Sequence, residues 1–230
     1  MDQSFAVEAL GRCPLFAHAT PDVLHSVAGG LRRRRFRRNE VIFHQGDTGD
    51  SLHIVAEGAV KIILPSTEGE EAIIATLWPG DFFGELSLLD GAPRSATASA
   101  IEPTETLVLP RTAFRDLVER DSALRDALLT GLARELRRLT GHVEELHFLD
   151  LAGRLAKRLA RLAHETAPSA VGEVSLDWPF TQSDLASMIG GTRQSVNRLL
   201  SILVDEGLVR IEPDQLVILD VSALERRAHH

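Results

Sequence analysis

The sequence predicts an α+β protein in two parts: an antiparallel β-roll leading into one long helix, and then a compact helical domain closed by a hairpin. Three observations carry this. Turn-forming glycines recur at near-constant spacing through the N-terminal half, an unbroken leucine seam follows, and two short helical stretches flank a Gly-Gly break near the C-terminus. The expected domains are residues 1–149, including a helix over about 112–149, and residues 150–230.

Ahead of the roll, Thr20–Ala28 reads as a short helix, with Thr20 placed to cap it and Pro21 at the first helical position. Glycines then fall at Gly46, Gly58, Gly69, Gly80 and Gly91, at intervals of 12, 11, 11 and 11 residues. Four of them sit in turn-forming pairs: Glu57-Gly58, Glu68-Gly69, Pro79-Gly80 and Asp90-Gly91. Between them lie short aliphatic runs such as Leu52–Val55, Val60–Leu64 and Ile73–Leu77. Runs of this kind at this spacing predict an antiparallel roll or barrel. A solenoid would need self-similar repeats, and the segments between the glycines are not alike.

From Arg111 the texture becomes helical. Leu129, Leu132, Leu136, Leu139, Val143 and Leu146 are spaced 3, 4, 3, 4 and 3 residues apart, with Arg134, Glu135, Arg137 and Glu144 around them. A helix packed only on its own domain favours a wider stripe that drifts toward a 3.6-residue period. A strict 3.5-residue period is what a seam between two supercoiled helices demands, so the spacing predicts a dimerisation helix. Phe148-Leu149-Asp150 ends it, a second helix runs from Leu151 to about Glu165, and a loop with Pro168 and Gly172 follows. The hinge is expected near Asp150–Gly153, and His229-His230 reads as an appended remnant.

Composition narrows the function class. Hydrophobic residues make up 44% and charged residues 25% of 230, ordinary for a soluble chain with room for two cores. No apolar run approaches the ~20 residues of a membrane span. No secretory signal opens the chain, so a cytoplasmic location without a membrane partner is expected. Cys13 is the only cysteine, which excludes an intrachain disulfide and a cysteine-held iron–sulfur cluster. No nucleophile–base pair or metal-ligand spacing is present, so no enzyme and no metal site are expected. The net charge of −8 does not exclude nucleic acid, because a DNA reader needs a local basic face rather than a basic chain. Residues 151–230 hold nine basic and ten acidic residues, so most of the negative charge lies in the N-terminal part.

Thr181–Val204 carries the DNA-reading signature. Thr181 is placed as an N-cap with Asp184 three residues on, and Leu185, Ala186 and Ile189 form an inward face. Gly190-Gly191 breaks this helix, Thr192 caps the next, and Val196, Leu199, Leu200 and Leu203 form its inward face. A small Ala186, Gly190 four positions on and Val196 ten positions on let two helices cross closely around a tight turn. That combination is specific to a helix-turn-helix, although another small αα-hairpin can imitate it. Arg193, Gln194, Asn197 and Arg198 then share the outer face. Arg can donate two bonds to guanine O6 and N7, and Gln or Asn can pair with adenine N6 and N7. Ser195 and Thr192, at the helix N-terminus, suit phosphate oxygens, and Thr181 is counted with the DNA-binding residues. Leu208–Ile211 and Leu216–Leu219 form a hairpin across Glu212–Gln215, the expected wing.

In the roll, Gly80-Asp81-Phe82-Phe83-Gly84-Glu85-Leu86 precedes Asp90-Gly91-Ala92-Pro93-Arg94-Ser95-Ala96-Thr97-Ala98. A short helix after Gly84 offers backbone N–H groups to an anion, Arg94 can bridge a phosphate, and Ser95 adds a hydroxyl. Glu85 is unsuited to phosphate but can accept from a ribose hydroxyl. Together they suit a sugar phosphate; residue chemistry alone leaves a simple Glu85–Arg94 pair equally open. His44 and His53 lie in strands without a motif for haem ligation. Arg32-Arg33-Arg34-Arg35-Phe36-Arg37-Arg38 reads as an ion-paired strand with charges on alternate faces, an accessory DNA or polymerase contact being the alternative.

These segments resemble the phosphate-binding cassette of the cyclic-nucleotide-binding fold. With Phe148-Leu149-Asp150 and Thr192-Arg193-Gln194-Ser195-Val196-Asn197-Arg198, the chain from about Leu15 to Leu219 resembles the CRP/FNR superfamily of transcription regulators. It is closer to the cyclic-AMP receptor branch than to the iron–sulfur branch, whose cysteines are missing. The resemblance implies a cyclic-nucleotide-binding-like β-roll, a long dimerisation helix and a C-terminal winged helix-turn-helix. It further implies a homodimer on a palindromic operator of double-stranded DNA, contact with RNA polymerase, and an effector such as cAMP between roll and helix. Carried over by position, Gly84 and Leu86 shape the cassette, Glu85 holds the ribose 2′-hydroxyl, and Arg94 and Ser95 take the cyclic phosphate. The branch places a polar Thr-Ser pair near the adenine, where this chain has Leu139 and Thr140. Thr140 keeps a hydroxyl; Leu139 cannot bond the adenine amino group. The branch usually has Glu at the position of Gln194, which changes the base edge it reads. The same regulator answering to a cyclic dinucleotide or to no ligand is the alternative. The regulatory module of an enzyme or channel is disfavoured by the complete helix-turn-helix.

Overall fold

The computed structural model describes residues 3–167, 172–177, 180–213 and 215–228; Pro168 and His229-His230 lie outside them. Contacts divide the chain into two units, Met1–Arg137 and Arg138–His230, with the division inside the long helix. No described helix is long and apolar enough to cross a membrane.

The first unit opens with α1 (Gln3–Arg12), a 3-10 turn at Pro14–Phe16 and α2 (Pro21–Gly30). Sequence reasoning missed α1, whose buried face is Ala6, Ala9 and Leu10, a weak periodic signal. The expected Thr20 side-chain cap on α2 is absent, so Pro21 alone marks the start.

Eight strands follow: β1 (Arg32–Phe36), β2 (Val41–Phe43), β3 (Ser51–Glu57), β4 (Val60–Pro65), β5 (Glu71–Leu77), β6 (Phe82–Phe83), β7 (Thr97–Ala100) and β8 (Thr104–Pro110). They form two four-stranded antiparallel sheets, ordered β1-β8-β3-β6 and β2-β7-β4-β5. Gly58, Gly69 and Gly80 fall in the links β3–β4, β4–β5 and β5–β6, so the expected roll is borne out. The two faces of β3 serve two cores, as a period of two requires. Val55 packs between the sheets with Phe36, Val60, Phe83 and Ala98. Leu52, Ile54 and Ala56 pack the other way, with Leu10, Phe16, Leu107 and Phe114.

The arginine-rich strand β1 pairs with β8, Arg33 opposite Leu107 and Arg35 opposite Glu105. Glu105 is only 4% exposed, and both Arg33 and Arg35 pair with it, Arg35 Nε at 2.9 Å. These partners hold Glu105 in an otherwise costly buried position. Arg32 and Arg34 are exposed on the strand.

Glu85–Asp90 forms α3, and two helices, α4 (Arg111–Arg120) and α5 (Ser122–Phe148), replace the single helix expected over 112–149. Asp121 takes an extended conformation between them, φ −112° and ψ 106°. Its Oδ1 accepts from the backbone N–H of Ala123 at 2.9 Å and Leu124 at 3.1 Å, restarting the helix as an N-cap. The buried Leu124 and Leu128 dock α5 on the roll's core, with Leu132 half-buried beside them. The other seam residues are exposed: Leu129, Leu136, Leu139, Val143 and Leu146.

In the second unit, Asp150 caps α6 (Leu151–Thr166) through a 2.8 Å bond from Gly153 N. Strand β9 (Val174–Asp177) precedes α7 (Gln182–Ile189) and α8 (Arg193–Asp205). Strands β10 (Val209–Ile211) and β11 (Gln215–Ile218) and helix α9 (Val221–Arg227) complete the unit. The wing is therefore a three-stranded sheet, β10-β11-β9, rather than the hairpin alone.

Candidate functional site

Gly84 ends β6 in the left-handed region, φ 86°, and α3 begins at the next residue. A side chain there would strain the backbone and place its Cβ 2.4 Å from Arg94 Nη1. Arg94 is 4% exposed. It donates from Nη1 to Gly84 O at 2.7 Å and from Nη2 to Ser51 O at 2.8 Å. Its backbone is held too, N donating to Asp47 O at 2.8 Å and O accepting from Gly46 N at 2.9 Å. Nε remains buried with no hydrogen-bond partner among the described residues. The result is a closed cradle in which one guanidinium nitrogen, Nε, is left without an acceptor among the described residues.

Both Nη groups therefore go to backbone carbonyls, not to the Glu85 carboxylate, and the simple Glu85–Arg94 pair does not form. Burial pushes the Glu85 carboxyl up; its own backbone N–H opposes this and Glu135 adds to it. Burial also pushes Arg94 down, with Asp50 and Glu85 pulling the other way. Arg111 fixes the cradle from behind, Nη2 donating to Gly49 O and, at 3.1 Å, to Ser87 O. Gly49 packs so closely on Ser87 that a Cβ would lie 2.2 Å from the serine Cβ. Leu86 and Ser95 are exposed at the rim. Ser51, Gly49 and Arg111 went unnoticed in the sequence because they meet the cassette only through pairing of distant strands.

Leu139 and Thr140 are exposed on α5, in the second unit. His53 is buried, stacked on Phe83 at 5.1 Å. Burial first, then the charges of Arg94 and Arg34, push its pKa down to about 3, so it is neutral.

The two helices of the helix-turn-helix are built as the sequence predicts. Thr181 Oγ1 accepts from Asp184 N at 3.1 Å, and Asp184 Oδ2 accepts from Thr181 N at 2.9 Å, a reciprocal cap on α7. Gly190 ends α7 with φ 70°, and Thr192 Oγ1 caps α8 by accepting from Ser195 N at 3.1 Å. Leu185, Ala186, Ile189, Val196, Leu199, Leu200 and Leu203 are buried. Arg193, Gln194, Asn197 and Arg198 are exposed, with Ser195 half-buried.

A further cluster, unanticipated from sequence, braces the α5–α6 elbow. Glu145, 8% exposed, pairs with Arg161 Nη2 at 2.6 Å and Lys157 Nζ at 3.3 Å, with His142 Nδ1 at 3.7 Å. Burial alone would raise this carboxyl; His142, Arg161 and Lys157 overcome it and hold its pKa at about 2. Arg154 adds bonds to the carbonyls of Leu146 and Leu149, both about α5's last turn, and of Ile189 at the end of α7.

Comparison with known proteins places both halves. The cyclic nucleotide-binding domain family matches residues 33–121 and the Crp-like helix-turn-helix domain family matches residues 153–227. A CRP-like cAMP-activated global transcriptional regulator of Mycobacterium tuberculosis is 32% identical over 96% of this chain and 99% of its own. The cyclic AMP receptor protein of Thermus thermophilus is 34% identical over 94% and 96%. The structure of a c-di-GMP-responsive global regulator of Xanthomonas campestris, 22% identical, shares the fold with a TM-score of 0.71, over 83% of this chain and 95% of that one. With a cyclic-nucleotide-binding domain ahead of a DNA-binding helix-turn-helix, the chain belongs to the CRP/FNR family of transcription regulators.

Proposed function

We propose that this chain is a homodimeric, sequence-specific DNA-binding regulator gated by a cyclic nucleotide such as cAMP. Residues 1–149 sense and dimerise, and residues 150–230 read DNA. The observation that carries the effector reading is the buried, unused Nε of Arg94 beside the Gly84 turn. A cyclic phosphate is a monoanion whose exocyclic oxygen can accept from that Nε and from the hydroxyl of Ser95. The first N–H groups of α3 add to it, Glu85 accepts from the ribose 2′-hydroxyl, Leu86 shapes the rim, and Leu139 and Thr140 meet the base.

The exposed Leu129, Leu136, Leu139, Val143 and Leu146 support pairing of α5 with a second copy. Thr181, Thr192 and Ser195 are proposed to hold phosphates, and Arg193, Gln194, Asn197 and Arg198 to read base edges of a palindrome. RNA polymerase is proposed as a further partner. A second reading, a cyclic dinucleotide effector or none, is favoured by Leu139, which offers the adenine amino group no acceptor. Calorimetric titration of the full chain with cAMP, cGMP and c-di-GMP tests this. Tight cAMP binding that Arg94→Lys weakens supports the reading, and binding of c-di-GMP alone overturns it.

A further inference from the structure

We infer that Phe43 is a positioning residue for Arg94: its ring is a shelf that holds the guanidinium in place before a ligand arrives. The Arg94 Cζ lies 4.2 Å from the centroid of the Phe43 ring. Gly84 O and Ser51 O, with a longer 3.4 Å bond to Ser51 Oγ, hold the two Nη nitrogens of the fork, but bonds at these two atoms alone still allow the group to rock about the line joining them. A ring against one face removes that freedom. The attraction between a cation and an aromatic face also grows when water is excluded, and Arg94 is almost fully buried.

The shelf is itself held. Phe43 lies 5.7 Å from Phe83 and 5.9 Å from His53, ring centre to ring centre, and His53 stacks on Phe83. His53 is neutral, so no second positive charge is brought beneath Arg94. Strand β2 has a bulge between Val41 and Phe43, where its register against β7 shifts from Ser99 to Ala98. Bulges re-aim side chains, and here two neighbours, Ile42 and Phe43, both pack on the cluster between the sheets.

An aliphatic residue would fill the same half-buried space, so burial alone does not call for a ring. The consequence for function rests on the reading of Arg94 as the phosphate ligand: a pre-ordered guanidinium spares the ligand the entropic cost of ordering it.

The test compares wild type, Phe43→Leu and Phe43→Tyr as full-length proteins, with cAMP as the probe in calorimetry. Phe43→Leu weakens binding about ten-fold with little change in the unliganded melting curve, and Phe43→Tyr restores it. Without ligand, the NMR signal of the Arg94 Nε–H is ring-shifted and slow to exchange in wild type, and loses both properties in Phe43→Leu. If Phe43→Leu binds like wild type and keeps that signal, the proposal is wrong. Equal weakening by Leu and Tyr also overturns it, because Phe43 then only fills space. Wild type that fails to bind cAMP, with the Arg94 signal still lost in Phe43→Leu, contradicts the effector reading but upholds the shelf.

Discussion

Two regions use arginine in opposite ways. Arg94 is buried, its backbone and both Nη groups bonded within its own unit, and only Nε remains unused. Arg193 and Arg198 stand exposed on α8, where helix geometry and a cap place them and little else restrains them; Arg193 reaches Gln182 Oε1 at 3.4 Å. The cradle completes most of its polar contacts within its own unit and leaves Nε without one among the described residues. Helix α8 buries its apolar face and leaves Arg193, Gln194, Asn197 and Arg198 exposed, as the proposed reading of DNA needs. Preformed contacts suit a small rigid ligand, and exposed side chains that can adapt suit a long polyanion.

The sharpest way to break this comparison is to remove the second copy that the proposed reading of a palindrome requires. Leu136 and Val143 are 67% and 54% exposed, so Leu136→Lys with Val143→Lys leaves the single chain folded while placing charges on the seam. Sedimentation should show monomers, and affinity for a two-half-site operator should fall to the level of unrelated DNA, about 10³-fold or more. An intact dimer would remove the seam from the account. Leu132 is the wrong residue to test, because it also packs on the roll's core.

A second test sharpens the reader's side. Gln both donates and accepts, whereas Glu only accepts, so Gln194→Glu should shift preference at one base pair per half-site by about 1–3 kcal/mol, toward cytosine N4. Competitive binding over an operator library at fixed salt measures this. An unchanged preference at every position would leave Arg193 and Arg198 to explain specificity.

The smallest effect concerns the elbow. The Glu145 carboxyl is held at about 2, below its unfolded value near 4.3. Its contribution to stability is therefore complete above the unfolded value and lost as pH falls toward about 2. Glu145→Gln should cost about 1–2 kcal/mol at pH 7, with the gap to wild type closing below about pH 4. Denaturant titrations at pH 7 and pH 3 measure the gap. A gap unchanged between them would exclude the ion pairs as its source.

The reading helix was legible because its caps, breaker and apolar positions lie within Thr181–Val204 and act through neighbours three or four residues away. The cradle was legible only at Gly84, Glu85 and Arg94. Its other walls, Phe43, Gly49, Ser51 and Arg111, arrive through strand pairing across long separations, which no local pattern records. For the same reason β9 was missed: four residues become a strand only by pairing with β11, from Gln215 onward. The break at Asp121 was hidden because no Gly or Pro marks it, and only the capping carboxylate marks the restart.

The central claim is that a cyclic nucleotide bound at the Arg94 cradle gates DNA reading by α8. The most direct measurement takes a palindromic operator selected from a random library and determines the full chain's affinity for it with and without saturating cAMP, at one salt concentration. The account predicts a rise in operator affinity with cAMP, little change for unrelated DNA, and loss of the rise in Arg94→Lys. Equal operator affinity with and without cAMP would contradict it.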